Sequence, residues 1–393
     1  MAASSARPVS AVQSRAGFEK FEKIEVRAAE GGVEAIGAVE DEWRRLADTG
    51  AGRLLFCRPE WTRAYLEAFA PKRHILLLTA HGGNGLLAVL PLAKEWARYR
   101  GVPVPMLRAP MNTHSFWHDI ARARGPEGAR AVAALWEYIE AMRGWFMVEL
   151  PYVTEGTGGL LLAEAARKRG FEAYTGRTYD SPYIPLSGRA AADGEWPCEV
   201  GRHLRHELRR WERGLGSAGP VELDCVEDAD PDALGQLFEL EQSGWKGKAG
   251  TAMASGSDTL QFYRSMAAAA AESRYLALYR LRCGGRPIAA LMALIYRGVC
   301  YAAKIAYDES FRQYAPGHLL ISSVVRDCSA RGCRELNFLG HSQLWKERWT
   351  KASRRVDAVR IIRRGPLGKA FCLARRLKRR FDGPGSRTLI SVR

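Results

Sequence analysis

The stretch from Val299 to Lys346, VCYAAKIAYDESFRQYAPGHLLISSVVRDCSARGCRELNFLGHSQLWK, restricts the fold of this chain more than any other. It opens with an apolar and aromatic run ending at Tyr307, the pattern of a largely buried strand. Asp308 to Pro316 breaks the pattern with charge and a proline. Pro316 and Gly317 then start a helix, because Ile321, Val324, Val325 and Cys328 follow at i, i+3, i+4 and i+7. Gly332 sits near the place of a C′ glycine, and Glu335–Leu339 reads as a short second strand closed by Gly340. A helix that begins directly after a strand aims unpaired N–H groups and its positive dipole end over the strand edge. Arg312 and Gly317 at that terminus suit a pyrophosphate, and they equally suit an ordinary strand-to-helix turn.

Upstream, Tyr275–Cys283, Arg286–Tyr296 and Val299–Tyr307 read as an antiparallel meander, with Gly284-Gly285 as its first hairpin turn. The loop Arg312-Gln-Tyr-Ala315-Pro-Gly317 resembles the R/Q-x-x-G-x-G/A loop by which GNAT-type acyltransferases hold the pyrophosphate of an acyl-CoA, with Ala315 in place of the first glycine. At the residue level the chain resembles the CelD/BcsL-type acetyltransferases over roughly Phe18 to Arg363. The resembling residues are Leu240-Glu241, Trp245-Lys246, Phe262-Tyr263-Arg264, Ala306-Tyr307-Asp308-Glu309, Ala315-Pro316-Gly317, Leu319-Leu320, Asn337-Phe338-Leu339-Gly340 and Trp345-Lys346. More distantly it is similar to the Fem-type transferases, which use aminoacyl-tRNA. The resemblance implies an α/β (α+β) fold of tandem GNAT-like domains, each a mixed, mostly antiparallel sheet flanked by helices. It also implies an acyltransferase with acetyl-CoA or another acyl-CoA as co-substrate.

A chain of 393 residues is comfortable for two domains. In the first half, Glu40–Ala47 and the segment from Phe56 to Phe69 read as helices, and His74–Ala80, Leu86–Lys94 and Val102–Arg108 as strands. A helix over Gly128–Met142 and a strand over Trp145–Leu150 follow. This order repeats that of the later core, so the first half reads as a structural duplicate. Its loop Ala123-Arg-Gly-Pro-Glu-Gly128 matches the phosphate-loop spacing poorly, which assigns it the role of shaping the acceptor cleft. The expected division is a disordered leader over 1–20, a degenerate GNAT-like domain over 21–186, a linker over 187–200, an acyltransferase domain over 201–364 and a basic amphipathic tail over 365–393.

The formal charge is +16, and residues 363–393 carry much of it, with ten Arg/Lys against one Asp. In the tail, Ala370, Leu373, Leu377 and Phe381 form an apolar stripe bordered by Arg375, Arg376, Lys378 and Arg379. That pattern suits an anionic membrane surface, and also a solvated extension or a polyanionic glycan or RNA. No apolar run approaches the ~20 residues of a membrane span. The eight cysteines are scattered, as in a reduced cytoplasmic protein, with the inner membrane face as the alternative location through the tail. Arg202–Leu215 is a strongly basic helix, either a solvated face or a phosphate-binding arm. Ala249–Asp258, rich in small residues, reads as a candidate lid.

Acyl transfer from a thioester needs a donor site, a base, an oxyanion donor and an acid for the departing thiolate. By resemblance and position the donor site is Arg312, Ala315, Gly317 and His318, with Lys346 matching a Fem-type lysine associated with substrate phosphate. Tyr307 and Tyr314 are the candidate acids. Glu241 and Asp308 compete as base, against bland roles as a partner of Lys246 and as a turn cap. The acceptor side takes His118, Asp119, Trp245, Lys246 and Asn337; the last stands where the family commonly has Asp. His114 and His118 beside Asp119 invite a metal reading, but no third ligand has a defined spacing, and no metal is expected. The acceptor is then a small molecule or glycan, with tRNA a partner only in the Fem-like alternative.

Overall fold

The structure is a computed structural model. It describes residues 23–52, 55–99, 101–186, 196, 198–244, 247, 249–250, 252–366, 368–371 and 373. The leader, most of the linker, and the tail beyond 373 lie outside the described residues. The strands are β1 (Glu25–Gly31), β2 (Ile75–Gly82), β3 (Gly85–Tyr99), β4 (Val102–Arg108), β5 (Ala121–Arg122), β6 (Met147–Thr154), β7 (Glu172–Pro185), β8 (Val221–Val226), β9 (Leu276–Cys283), β10 (Arg286–Tyr296), β11 (Val299–Tyr307), β12 (Glu335–Asn337) and β13 (Ser353–Ile362). The helices are α1 (Val33–Gly37), α2 (Glu40–Thr49), α3 (Pro59–Phe69), α4 (Gly125–Ala141), α5 (Gly158–Lys168), α6 (Arg202–Ala218), α7 (Pro231–Ser243), α8 (Ser257–Glu272), α9 (Pro316–Ala330) and α10 (Leu344–Glu347).

The strands form one mixed sheet in the order β1-β2-β3-β4-β6-β13-β7-β12-β11-β10-β9-β8, with β5 attached to β3. All its pairings are antiparallel except two. β4 runs parallel to β6 across the α4 crossover, and β11 runs parallel to β12 across α9. Parallel neighbours need such a crossover, since a tight turn cannot join them. The two parallel pairs are the physical form of the duplication read from element order.

Nothing in the sequence reading places a strand at Ser353–Ile362, where Arg354, Arg355, Asp357 and Arg360 interrupt the apolar pattern. In the fold this strand pairs with β6 on one side and β7 on the other. Its buried Val356, Val359 and Ile361 supply core, and buried Arg360 donates from Nε to Glu149 at 2.6 Å. Position in sequence puts β13 inside 201–364, but its partners lie in the first half. β7 likewise reaches across, pairing its last residues with β12. One hydrophobic cluster also spans the division, with Phe56 against Tyr301 (5.1 Å between centroids) and Trp61 against Phe262 (6.1 Å). A boundary at 187–200 therefore divides neither the sheet nor the core.

The second half packs α6 and α9 on one face of its strands, around Leu204, Leu208, Leu320 and Val324. α7 and α8 cover the other face through Leu237, Leu240, Phe262 and Met266.

Candidate functional site

The site begins where two strands part. β12 pairs with β11 only at Val299↔Glu335, Cys300↔Leu336 and Tyr301↔Asn337, while β11 continues to Tyr307. On its other side β11 carries a bulge: Met292 faces Lys304 and Ala293 faces Ala302, leaving Ala303 as the extra residue. An extra residue reverses which face each later side chain takes. Cys300 and Ala302 accordingly join the cluster with α9, whereas Ala306 joins the opposite one. Beyond the bulge lies a small, solvent-open cleft of about 30 Å³ lined by Leu240, Glu241, Gly244, Ile305, Ala306, Tyr307 and Glu309.

The loop after β11 coils as a 3-10 turn, Glu309–Tyr314, before α9 begins. Asp308 caps that turn, accepting from the Ser310 N–H at 2.9 Å and the Ser310 hydroxyl at 2.7 Å, and it pairs with Arg286. Burial works against its charge, but these bonds outweigh burial and hold its pKa below the ordinary aspartate value. Asp308 thus builds the loop, as its alternative role had it. Ala315 adopts the left-handed conformation (φ 47°, ψ 54°), which explains why the resembling loop has glycine there. At the helix start, the Gly317 N–H and the exposed Arg312 guanidinium have no partner among the described residues. Tyr307 covers this end, its ring 3.5 Å from where a Gly317 Cβ would stand.

Glu241 is buried (3% exposed), yet it lines the cleft and accepts from the Met253 N–H at 2.7 Å. That bond also corrects the lid expectation. Met253 is fully buried, so the 3-10 turn Met253–Ser255 is anchored in the core and tied to Glu241. Tyr307 is 37% exposed at the cleft rim, whereas Tyr314 packs on α6, its ring 3.3 Å from the Cβ position of Gly214.

Five other expected site residues are engaged in packing. His318 is stacked between Trp211 and Trp349, and its Nδ1 accepts from the Trp349 indole N–H at 3.0 Å. Burial, helped by Arg348, pushes its pKa down to about 4. Lys346, 7% exposed, donates to the carbonyls of Leu339 (2.7 Å) and His341 (3.0 Å), since the left-handed turn at Leu339 and Gly340 turns those oxygens toward it. Its ammonium thereby closes that turn. Asn337 is fully buried; its side-chain oxygen accepts from the Leu339 N–H (2.9 Å) and its amide donates to Glu335 (2.8 Å). Asp119, on the first half, accepts from the N–H groups of Ile120 (2.7 Å) and Gly159 (3.0 Å) at the start of α5. His118 is buried beside it, and burial lowers its pKa to about 4. Neither is among the residues lining the cleft. Trp245 and Lys246 lie outside the described residues. Among the described residues no three His, Cys, Asp or Glu side chains converge as metal ligands would.

Sequence reasoning missed a polar group behind Glu241. The Tyr263 hydroxyl meets Nδ1 of His114, from the first half, at 3.3 Å, and the Lys304 ammonium sits 4.8 Å above the Tyr263 ring. The one signal in the sequence was a lysine within the otherwise apolar run of β11.

Residues 202–347 match the family model described as Acetyltransferase (GNAT) domain. No curated protein matches this chain in sequence. Among solved structures the fold is similar to FemX, with 11% identity, a TM-score of 0.57, and coverage of 84% of this chain and 98% of that one. It is similar to the C-terminal domain of a protein assigned as a lysylphosphatidylglycerol synthetase from Agrobacterium fabrum (13% identity, TM-score 0.51, coverage 88% and 95%). A conserved protein of unknown function from Bacteroides thetaiotaomicron aligns at 12% identity with a TM-score of 0.50, covering 86% and 100%. At these identities the likeness is one of fold. The chain therefore carries a GNAT acetyltransferase domain in a mixed α/β fold, and its acyltransferase class follows from that domain.

Proposed function

We propose that this protein is an acyl-CoA-dependent N- or O-acyltransferase of CelD/BcsL type, with acetyl as the favoured group. Its acceptor is an amine or hydroxyl of a cell-surface polysaccharide component or a related metabolite. One observation carries the reading: the parting of β11 from β12 brings a buried carboxylate and an exposed tyrosine to a single cleft, and that tyrosine lies against the start of α9 at Gly317. The donor fits the loop because the Gly317 N–H and Arg312 both lack partners among the described residues, while Ala315 already holds the backbone shape required. An acyl-CoA supplies the thioester carbon and the phosphates. Arg312 and Gly317 hold the phosphates. Glu241 takes the proton from the attacking amine or hydroxyl, and Tyr307 returns one to the departing sulfur. β11, free of β12 beyond Tyr301, offers backbone N–H groups toward the carbonyl oxygen.

Calorimetry with acetyl-CoA, and thiol release with a panel of amine and hydroxyl acceptors, test this assignment. Arg312→Ala is expected to weaken CoA binding by roughly 1.5–3 kcal/mol, the range for a hydrogen bond to a charged group. Glu241→Gln is expected to lower kcat by about 10²–10⁴ with CoA affinity retained. Absence of any CoA binding to the wild type would sink the reading.

A second reading is a Fem-like transferase drawing on aminoacyl-tRNA. It is favoured by the likeness to FemX and by the outer face of α6, where Arg202, Arg205, Arg209 and Arg213 are exposed in one row. Stabilisation by charged tRNA and not by CoA would select it. A non-catalytic accessory role in polysaccharide synthesis remains if neither binds. A cytoplasmic location rests on the scattered cysteines, and contact with an anionic inner membrane face rests on the tail, which beyond 373 lies outside the described residues. Among the described residues no helix is long and apolar enough to cross a membrane.

A further inference from the structure

The most anomalous charge in the second half is the ammonium of Lys304. It stands on β11 immediately after the bulge, half-buried, directly before Ile305, Ala306 and Tyr307 of the cleft, whose lining it does not itself join. The extra residue at Ala303 turns it to the face covered by α7 and α8, where Glu241, Tyr263 and Ala306 also lie. An ammonium carries three N–H donors. Among the described residues none of the three finds a hydrogen-bond or ion-pair partner; the ammonium only rests over the Tyr263 ring at 4.8 Å. A cation–π contact offsets part of the desolvation and satisfies no donor. The half-buried ammonium keeps contact with solvent, so a ligand can reach it, and its place over a ring calls for an explanation.

The neighbours narrow that explanation. Tyr263 is fully buried, with its hydroxyl on His114, whose pKa burial and then Lys304 itself push down to about 4; the ring is neutral. Glu241 is the opposite charge that acts on Lys304, and its carboxylate also accepts from the Met253 N–H. Burial lowers the Lys304 pKa and Glu241 works against that shift. The result is one positive charge with open donors, next to the carboxylate assigned as base and walled by neutral aromatic side chains.

We propose that Lys304 seats an oxyanion group of the acceptor, a carboxylate or a phosphate borne close to the nucleophile that Glu241 deprotonates. This rests on the transferase reading above and adds the acceptor's class: acidic amines or sugars over neutral ones. The bound oxyanion takes the ammonium's donors, and the lysine in turn offsets the repulsion between that oxyanion and Glu241.

The test needs no donor. Thermal unfolding is measured in sodium phosphate and in sodium acetate against sodium chloride at matched ionic strength, for wild type, Lys304→Met and Lys304→Arg. Wild type and Lys304→Arg are expected to gain stability from one of the two anions beyond chloride, and Lys304→Met to lose that gain entirely. The anion that acts identifies the group as phosphate or carboxylate. In chloride, Lys304→Met is expected to unfold at a temperature no lower than wild type, since it deletes an unpartnered charge. A second readout uses wild type alone: the same anion slows labelling of Lys304 by an amine-reactive reagent several-fold, scored by peptide mass spectrometry. An anion response that survives in Lys304→Met, or labelling unaffected by either anion, overturns the proposal. Failure of CoA to bind, with anion protection intact, would count against the donor assignment instead.

Discussion

The two halves build the same strand–helix–strand unit and finish it differently. In the second half, β11 outruns β12, and α9 starts with an unpartnered N–H beneath the exposed Tyr307. In the first half the corresponding strands stay stitched. Glu149 of β6 is held by Arg108 of β4 at 2.9 Å and by Arg360 of the inserted β13 at 2.6 Å. The segment after β4 is spent on buried Trp117, His118, Asp119 and Ile120 before α4 begins. The start of α4 is closed by its own chain, since a Cβ at Gly128 would stand 1.9 Å from the Ala123 carbonyl oxygen. Duplicated topology therefore does not duplicate a site. What opens the second copy is a bulge, a three-residue β12 and a loop rich in unspent donors; what closes the first is an extra strand and a tight backbone.

If the first half were only a loosely attached wall, cutting its ties should cost little. Arg58 argues otherwise. It is 3% exposed, pairs with Asp48 and with Glu60 (3.0 Å), and lies over the rings of Tyr275 and Tyr296 from the second half. Tyr296 returns the contact by donating to Asp48 at 2.7 Å. Arg58→Met leaves buried carboxylate charge short of its partner, which typically costs about 3–5 kcal/mol. A single denaturant transition shifted by that amount is expected. Two separated transitions would mean the halves fold independently.

The halves also use an aspartate in the same way with opposite pH signatures. Asp119 caps the start of α5 in the first half, and Asp308 caps the 3-10 turn in the second. Burial of Asp119 outweighs its hydrogen bonds and pushes its pKa up from 3.8 to about 7. Between those values the folded state holds a proton that the unfolded state has lost, so this group makes stability fall as pH rises. Asp308 has a lowered pKa, so its contribution is present above the ordinary aspartate value and is lost as pH falls through its own, lower pKa. Urea titrations across pH should show Asp119→Asn removing a loss of roughly 2–4 kcal/mol between acid and neutral pH. Asp308→Asn should remove about 1 kcal/mol at neutral pH and flatten the acid limb. Matching slopes for the two variants would contradict the assignment of their environments.

Much of this contrast could be read before the fold was known, and the reasons are local. Strands β9 to β11 and helix α9 announce themselves through apolar runs, a Gly-Gly turn and a 3.6-residue period. Proline and arginine mark the loop between them. β13 was illegible because two of its arginines, which break the apolar pattern, find their partners far away in sequence or on another strand, Arg360 at Glu149 and Arg354 at Glu335. The packing of Lys346, His318 and Asn337 was illegible for a related reason. A motif gives residue type and spacing, but whether an ammonium meets a carbonyl or a ligand depends on a turn two left-handed residues long. Lys304 escaped notice because a bulge, which has no sequence signature here, decides the face it takes.

The smallest expected effect is also the most local comparison, between two helix-start glycines. Gly128 has no room for a methyl group, since the blocking atom is backbone and cannot rotate away. Gly128→Ala should therefore destabilise by about 1–3 kcal/mol, the range for overpacking, even though alanine is the better helix former. Gly317 meets only the Tyr307 ring at ordinary contact distance, and it lies in the first turn of α9. Gly317→Ala should leave thermal stability within about 0.5 kcal/mol of wild type, while the added methyl crowds the N–H offered to the donor. Calorimetry with CoA is then expected to show weaker binding for Gly317→Ala and unchanged binding for a Gly128→Ala protein that still folds. Should CoA affinity follow Gly128 instead, the donor would have to sit on the first half, and the contrast between an open and a closed copy would be assigned the wrong way round.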